Sequence, residues 1–334
     1  MEILTWLQFA ACTAAIVYSG SRLSKYGDII AEKTGLGGLW VGALLIAMVT
    51  SLPELISGVS AVAVFDVPEI AVGGVIGSCM FNILVIALID AMTGRKSMHG
   101  DLNEGHVLAA GFGILLMALI TLNLCADSVV PAIGNVGVFS IVFLLLYLVA
   151  MRVIYLYNQK KIKRLIHDKA REYRYKEYSL RRAFLMYGLN AVVIVAAAAY
   201  LPALGERIAA TTGMSQTFVG NFFIALATSL PEIVVTVAAV RMGAVDMALG
   251  DLFGSNLFNV AILAVDDILY VDGPILSDVS GHHVVIAAAA IAMTGTVIIG
   301  LTYRQIKKSV FLAWDSVGIL LIYVVAQIIL FSLG

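Results

Sequence analysis

The sequence predicts an all-α polytopic membrane protein, with ten transmembrane helices arranged as two inverted five-helix repeats. Three observations predict it. Of the 334 residues, 61% are hydrophobic and only 13% charged, against about half apolar and about a quarter charged in an ordinary soluble domain. Ten apolar stretches are long enough to cross a bilayer, which takes about 20 residues of helix. Residues 27–54 also reappear, at a constant shift of 178, as residues 205–232.

The first span, 3–26, lacks a basic leader and a small-residue cleavage site, so it is expected to be retained rather than removed as a signal peptide. Spans follow at 38–64, 68–92, 105–125 and 129–157, and then at 183–205, 216–240, 245–269, 281–302 and 310–333. Between the fifth and sixth lies the one long connection, NQKKIKRLIHDKAREYRYKEYSLRR. The expected organisation is a first repeat at 1–157 with its motif at 38–90, a basic loop at 158–182, and a second repeat at 183–334 with its motif at 216–268. Within the loop, LIHDKAREYRYKEYSL reads as helical but too short to be a separate domain.

Lysine and arginine set the orientation. Twenty of the 21 fall on the side of the long loop and only Arg207 on the other, so the loop is expected in the cytoplasm and both termini outside. The expected location is the cell (inner or plasma) membrane. Cys12, Cys79 and Cys125 are scattered through apolar segments and read as small core residues, not as a disulfide framework or metal cluster.

Each repeat has five spans, an odd number, so the second enters the membrane from the opposite side. Inverted repeats of this kind commonly build transporters with the substrate site at the midplane. Two motifs fall at that depth in each half. TSLPE occupies 50–54 and again 228–232, and EIAVGGVIGSCMFN (69–82) returns as DMALGDLFGSNLFN (246–259) at a shift of 177.

Thr50 and Glu54 are four residues apart and share a helix face, as do Thr228 and Glu232. Pro53 and Pro231 push against the carbonyls of Val49 and Ala227, and carbonyls freed at the midplane need a partner. Ser78 with Asn82, and Ser255 with Asn259, again sit four apart, and Asp251 lies a turn before Ser255. A carboxylate in mid-membrane costs about 2.5–3.5 kcal/mol on insertion scales, which favours a functional pair over a structural one. Hard oxygen donors suit Ca²⁺ or Na⁺ rather than zinc or copper. Two glutamates carry a charge that balances one Ca²⁺ or two Na⁺. Asp251 has Gly74 as its counterpart and three readings: an ion ligand, a proton-coupling carboxylate, or a partner for other polar groups. Glycines 73, 77, 250 and 254 read as close-packing surface. Asp90 and Asp267, near span ends, are expected to face headgroups, and histidines 99, 106, 167, 282 and 283 to be solvated. No nucleophile–base arrangement lies at the midplane, so the chain is not expected to be an enzyme. Paired buried acids also argue against a cation channel, whose ions must leave easily.

The paired TSLPE and GS-x-x-F-N segments resemble the α-repeats of the cation/Ca²⁺ antiporter superfamily, the sodium/calcium exchangers and their prokaryotic relatives. The resemblance covers the ten-span plan and is strongest over 38–90 and 216–268. It implies exchange of Na⁺, or H⁺ in its place, for Ca²⁺ by alternating access, with Ca²⁺ extruded. By that resemblance Thr50, Ser51, Glu54, Ser78 and Asn82 would line the ion sites with Thr228, Ser229, Glu232, Ser255 and Asn259, and Ala47 and Ala225 would offer backbone carbonyls to Na⁺. The expected partners are the ions and the lipid bilayer, with no cofactor and no nucleic acid, and the chain is expected to function as a monomer. Four departures stand out. Val49 and Ala227 replace the usual Gly before Thr-Ser, Cys79 replaces the Asn after the serine, Asn259 stands where exchangers often carry Asp, and Asp251 where Asn is usual.

Overall fold

The computed structural model describes residues 2–34, 48–92, 105–126, 131–165, 177–303 and 312–333. Among these residues a helical turn at 48–50 precedes Ser51, and ten longer helices are described: α1 Glu2–Thr34, α2 Leu52–Ala63, α3 Pro68–Met92, α4 Gly105–Ala126, α5 Val138–Leu165, α6 Leu180–Thr212, α7 Gln216–Arg241, α8 Val245–Leu269, α9 His283–Tyr303 and α10 Trp314–Leu333. Among the described residues, all but α2 are long and apolar enough to cross a membrane. The protein is a multi-pass membrane protein.

Helices α3 and α8 form the centre. They are buried nearly all round, their apolar windows being 89% and 78% buried, against 22% for α1. The outer helices turn side chains such as Leu148 and Ile328 outward, a surface suited to lipid. Helices α1 and α6, each 33 residues, are equivalent in the two repeats and pack along each other. At about 1.5 Å per residue each is near 50 Å long, well beyond the hydrocarbon thickness of about 30 Å. α1 then lies on α7, and α6 on α2.

The two repeats differ by one residue between their motifs, and the turns show where. Four residues separate α2 from α3, with Asp66 left-handed at φ 53°, whereas three separate α7 from α8, with Gly243 left-handed at φ 78°. Aspartate and glycine are the residue types that tolerate this conformation. Helix α2 begins after a break at Ser51 (φ -83°, ψ 12°), which puts Pro53 in its first turn, where its missing N–H is not needed. In α7, Pro231 lies inside continuous helix, and the irregularity is a π-helical turn at Gly220–Ile224, just before the motif.

Three expectations are corrected. The fifth span does not start at 129: a short hairpin, β1 Ala132–Ile133 against β2 Val136–Gly137, turns at Gly134 (φ 64°), and α5 begins only at Val138. Asp90 and Asp267 do not face headgroups. Both are fully buried: Asp90 Oδ2 accepts from Ala313 N (2.8 Å) and Ser316 Oγ (3.0 Å) at the start of α10, and Asp267 accepts from Gly137 N (2.9 Å) and Ile275 N (2.7 Å) at the start of α5 and the loop after α8. The two aspartates, 177 positions apart, thus hold equivalent helix N-termini, where negative charge is favoured. His106 and His283, also 177 apart, are likewise buried rather than solvated. His106 Nε2 meets Asp246 at 2.9 Å, and His283 Nε2 meets Glu69 at 2.8 Å, so the same acid–histidine clamp recurs at each end of the bundle. His99 and His167 lie outside the described residues.

Candidate functional site

Every described residue that the sequence proposed for the site is at most 3% exposed, and the two halves hold each other through them. Ser51 Oγ donates to Glu232 Oε1 at 3.2 Å, and Ser229 Oγ donates to Glu54 Oε1 at 3.0 Å. These bonds are repeat-equivalents of each other. Each half supplies the serine that steadies the other half's glutamate, Ser51 from the break before α2 and Ser229 from within continuous helix. The two carboxylates are close enough for each to act on the other's charge.

A second exchange ties α3 to α8. Asn256 Nδ2 donates to the Cys79 carbonyl at 3.2 Å, the Cys79 thiol faces the Asn256 carbonyl at 3.8 Å, and Asn82 Nδ2 donates to Asn256 Oδ1 at 3.0 Å. Cys79 and Asn256 are themselves equivalent positions, so the pseudo-twofold axis passes between them. Ser78 and Thr228 hydroxyls lie 3.4 Å apart, and Thr228 Oγ1 also reaches the carbonyls of Ile224 (3.1 Å) and Ala225 (3.4 Å). Close backbone approach makes this packing possible: a β-carbon at Gly77 would sit 2.5 Å from the Asn221 carbonyl oxygen, and one at Gly73 3.0 Å from that of Thr217.

What remains unmet defines the chemistry. Glu54 Oε2, Glu232 Oε2, Asn82 Oδ1, Ser255 Oγ and Asn259 Oδ1 are buried with no hydrogen-bond partner. Leaving buried polar atoms unpaired costs roughly 1–3 kcal/mol each, more for charged groups, and native proteins leave few. Carboxylate, amide and hydroxyl oxygens are the donor types that a hard cation takes. Among the described residues no group of three His, Cys, Asp or Glu side chains is placed to hold a metal.

Asp251 stands apart. Thr50, Asp28 and Glu232 are near enough to act on its charge, but neither of its oxygens has a hydrogen bond of ordinary geometry. Ala225 is fully buried beside Thr228, while Ala47 lies outside the described residues. Sequence reasoning missed Asn221, whose amide donates to Gln327 Oε1 at 3.1 Å, and Asn256, although the repeat marks Asn256 as the partner of Cys79. It also missed Asp28 and Asp266.

The sequence model of the family described as sodium/calcium exchanger protein matches residues 4–156 and 182–332. The sodium/calcium exchanger MaX1 of Methanosarcina acetivorans is 24% identical over 349 residues, covering 95% of both chains. The inner membrane protein YrbG of Escherichia coli is 26% identical over 249 residues, 74% of each. Among solved structures, the H⁺/Ca²⁺ exchanger CAX superposes with a TM-score of 0.68 at 16% identity, covering 98% of this chain and 85% of that one. The sodium-calcium exchanger NCX_Mj gives 0.61 at 20% identity, covering 98% of both. Two inverted five-helix repeats, a glutamate pair shared across them, and a family match over nearly the whole chain lead to one conclusion: the chain belongs to the sodium/calcium exchanger protein family, whose members are transporters and not enzymes.

Proposed function

We propose that the cation/calcium antiport of this family is driven here by Na⁺: the chain exchanges Na⁺ for Ca²⁺ by alternating access and extrudes Ca²⁺ from the cytoplasm. The observation that carries this is the reciprocal pair Ser51–Glu232 and Ser229–Glu54, which leaves one oxygen of each glutamate unpartnered. Glu54 and Glu232 are the shared ligands of Ca²⁺ and Na⁺. Thr50, Ser51, Ser78, Asn82, Thr228, Ser229, Ser255 and Asn259 complete the shells, with the carbonyls of Ala47 and Ala225 and the carboxylate of Asp251. Because the glutamate pair carries a fixed charge, one Ca²⁺ and two Na⁺ neutralise it equally, and each displaces the other. A flexible shell of about six to eight oxygens favours Ca²⁺ over Mg²⁺.

Access alternates as α1 and α6, paired with each other, shift over the motif-bearing helices. Two contacts support this: Gly20 of α1 lies bare against Pro231 of α7, and Ser60 Oγ of α2 bonds the Ala199 carbonyl of α6 at 2.6 Å. The basic bias places the 158–182 loop in the cytoplasm and both termini outside. One chain contains both halves of the site, consistent with a working monomer.

Coupling to H⁺ is the second reading, favoured by Asp251, a buried acid beside Glu232 whose oxygens make no hydrogen bond of ordinary geometry. Calcium uptake into proteoliposomes, with an outward Na⁺ or an outward H⁺ gradient imposed alone, separates the two. The proposal expects uptake with Na⁺ only. Uptake with H⁺ only transfers the assignment to a Ca²⁺/H⁺ antiporter.

A further inference from the structure

Asp266 has no role in the site described above, and nothing in the fold requires it. Its neighbour Asp267 spends both oxygens on backbone N–H groups, at 2.9 and 2.7 Å. Asp266 is equally buried, at 0% exposure, yet neither of its oxygens has a hydrogen-bond partner. The other repeat keeps the structural acid as Asp90 but has Ile89 where Asp266 would be. An acid that is fully buried, unbonded and dispensable to the repeat calls for a ligand.

Its surroundings indicate which. The carboxylate rests on Gly58 of α2, where a β-carbon would lie 2.8 Å from Oδ1 and 2.9 Å from Cγ, so the glycine is what leaves room for it. Gly58 is one turn beyond Glu54 on the same face of α2. On α8, Asp251, Ser255, Asn259 and Asp266 fall within an arc of roughly 80° over roughly 22 Å of helix. All four are at most 2% exposed, and each has at least one polar atom without a partner. The matching stripe on α3 lacks both acids: Ser78 meets Thr228, and Asn82 bonds Asn256 through its Nδ2 and keeps only its Oδ1 unpartnered. Among the described residues, α8 carries unpartnered oxygens at Asp251, Ser255 and Asn259 and, about two turns further on, at Asp266.

We propose that Asp266 is a cation-binding station on the route between the central site and the membrane face at the C-terminal end of α8. Its ligand is a Na⁺ or Ca²⁺ ion in transit. This rests on the antiporter reading. The test uses right-side-out and inside-out vesicles carrying the full chain, with Na⁺ and Ca²⁺ varied separately on each face. Asp266→Asn is isosteric and removes no hydrogen bond, so it folds. Its half-saturating cation concentration rises roughly tenfold on the face at the C-terminal end of α8 and stays within about twofold on the other, since a single charge contact is lost on one side only. Asp266→Glu keeps the charge and retains most of the sidedness of the unmodified protein. A shift confined to the Na⁺ or the Ca²⁺ titration identifies the ion the station serves. Equal shifts on both faces, no shift on either, or failure of both variants to fold overturns the station. Absence of exchange by the unmodified chain would instead defeat the antiporter reading.

Discussion

Glutamine at position 54 is the most informative single change. Ser229 donates to Glu54 Oε1, and the amide oxygen of glutamine accepts that bond equally well, so the inter-repeat contact survives. The second oxygen, unpartnered and buried, becomes an NH₂ that turns donors toward the cation. Two unit charges about 4 Å apart interact by about 4 kcal/mol at an effective dielectric constant near 20. Removing one carboxylate charge therefore takes about 8 kcal/mol of attraction from a divalent ion and about 4 kcal/mol from a monovalent one, before the amide dipole returns part of it. Ion for ion, the difference favours a single bound Na⁺ over Ca²⁺ by up to about 4 kcal/mol, or roughly three orders of magnitude. Glu54→Gln should therefore abolish ⁴⁵Ca²⁺ self-exchange across proteoliposomes while leaving ²²Na⁺ self-exchange measurable, and Glu232→Gln should do the same through its Ser51 bond. Calcium self-exchange within about threefold of the unmodified protein in both variants, a loss of well under 1 kcal/mol, would refute the shared-glutamate site.

Other expectations follow from the packing. Gly77→Ala pushes a β-carbon to 2.5 Å from the backbone oxygen of Asn221, which cannot yield, and should cost about 1–3 kcal/mol; thermal unfolding in detergent checks it, with Gly111→Ala, which meets nothing within 4 Å, as the unaffected control. Asp267→Asn leaves one acceptor for two backbone donors, so one charge-assisted hydrogen bond is lost and stability falls by about 1.5–3 kcal/mol in the same assay. Gly20→Ala brings a β-carbon to 2.7 Å from the Pro231 ring and should slow exchange while leaving equilibrium Ca²⁺ binding intact; a parallel loss of binding would mean that this contact shapes the site and not the movement.

How much of this was legible in the sequence depends on what each signal measures. Apolar length located α3 and α8 residue for residue, because those helices are predominantly apolar and are bounded by proline and turn residues. It misplaced the start of α5, since Ala132, Ile133 and Val136 of the hairpin extend the apolar run of the helix that follows, and Pro131 and the Gly134–Asn135 turn are what betray it. The exchange of serines and glutamates lies in the duplication of TSLPE, but the break at Ser51 and the π-turn at Gly220–Ile224 are backbone events that no residue pattern announces. Hydropathy also cannot tell an inward-facing polar residue from an outward one, which is why Asp90, Asp267, His106 and His283 were expected at the surface. The repeat held that information. Glu69 with His283 and Asp246 with His106 stand at matching positions, and a pair kept in both halves is a pair the bundle uses.

Titration of purified protein with Ca²⁺ by calorimetry, in the absence and presence of Na⁺, tests the central claim most directly. The account predicts one Ca²⁺ per chain, displaced by Na⁺, and no binding heat once Glu54 and Glu232 are both glutamine. Calcium bound undiminished by the double variant, or undisturbed by Na⁺, would contradict it.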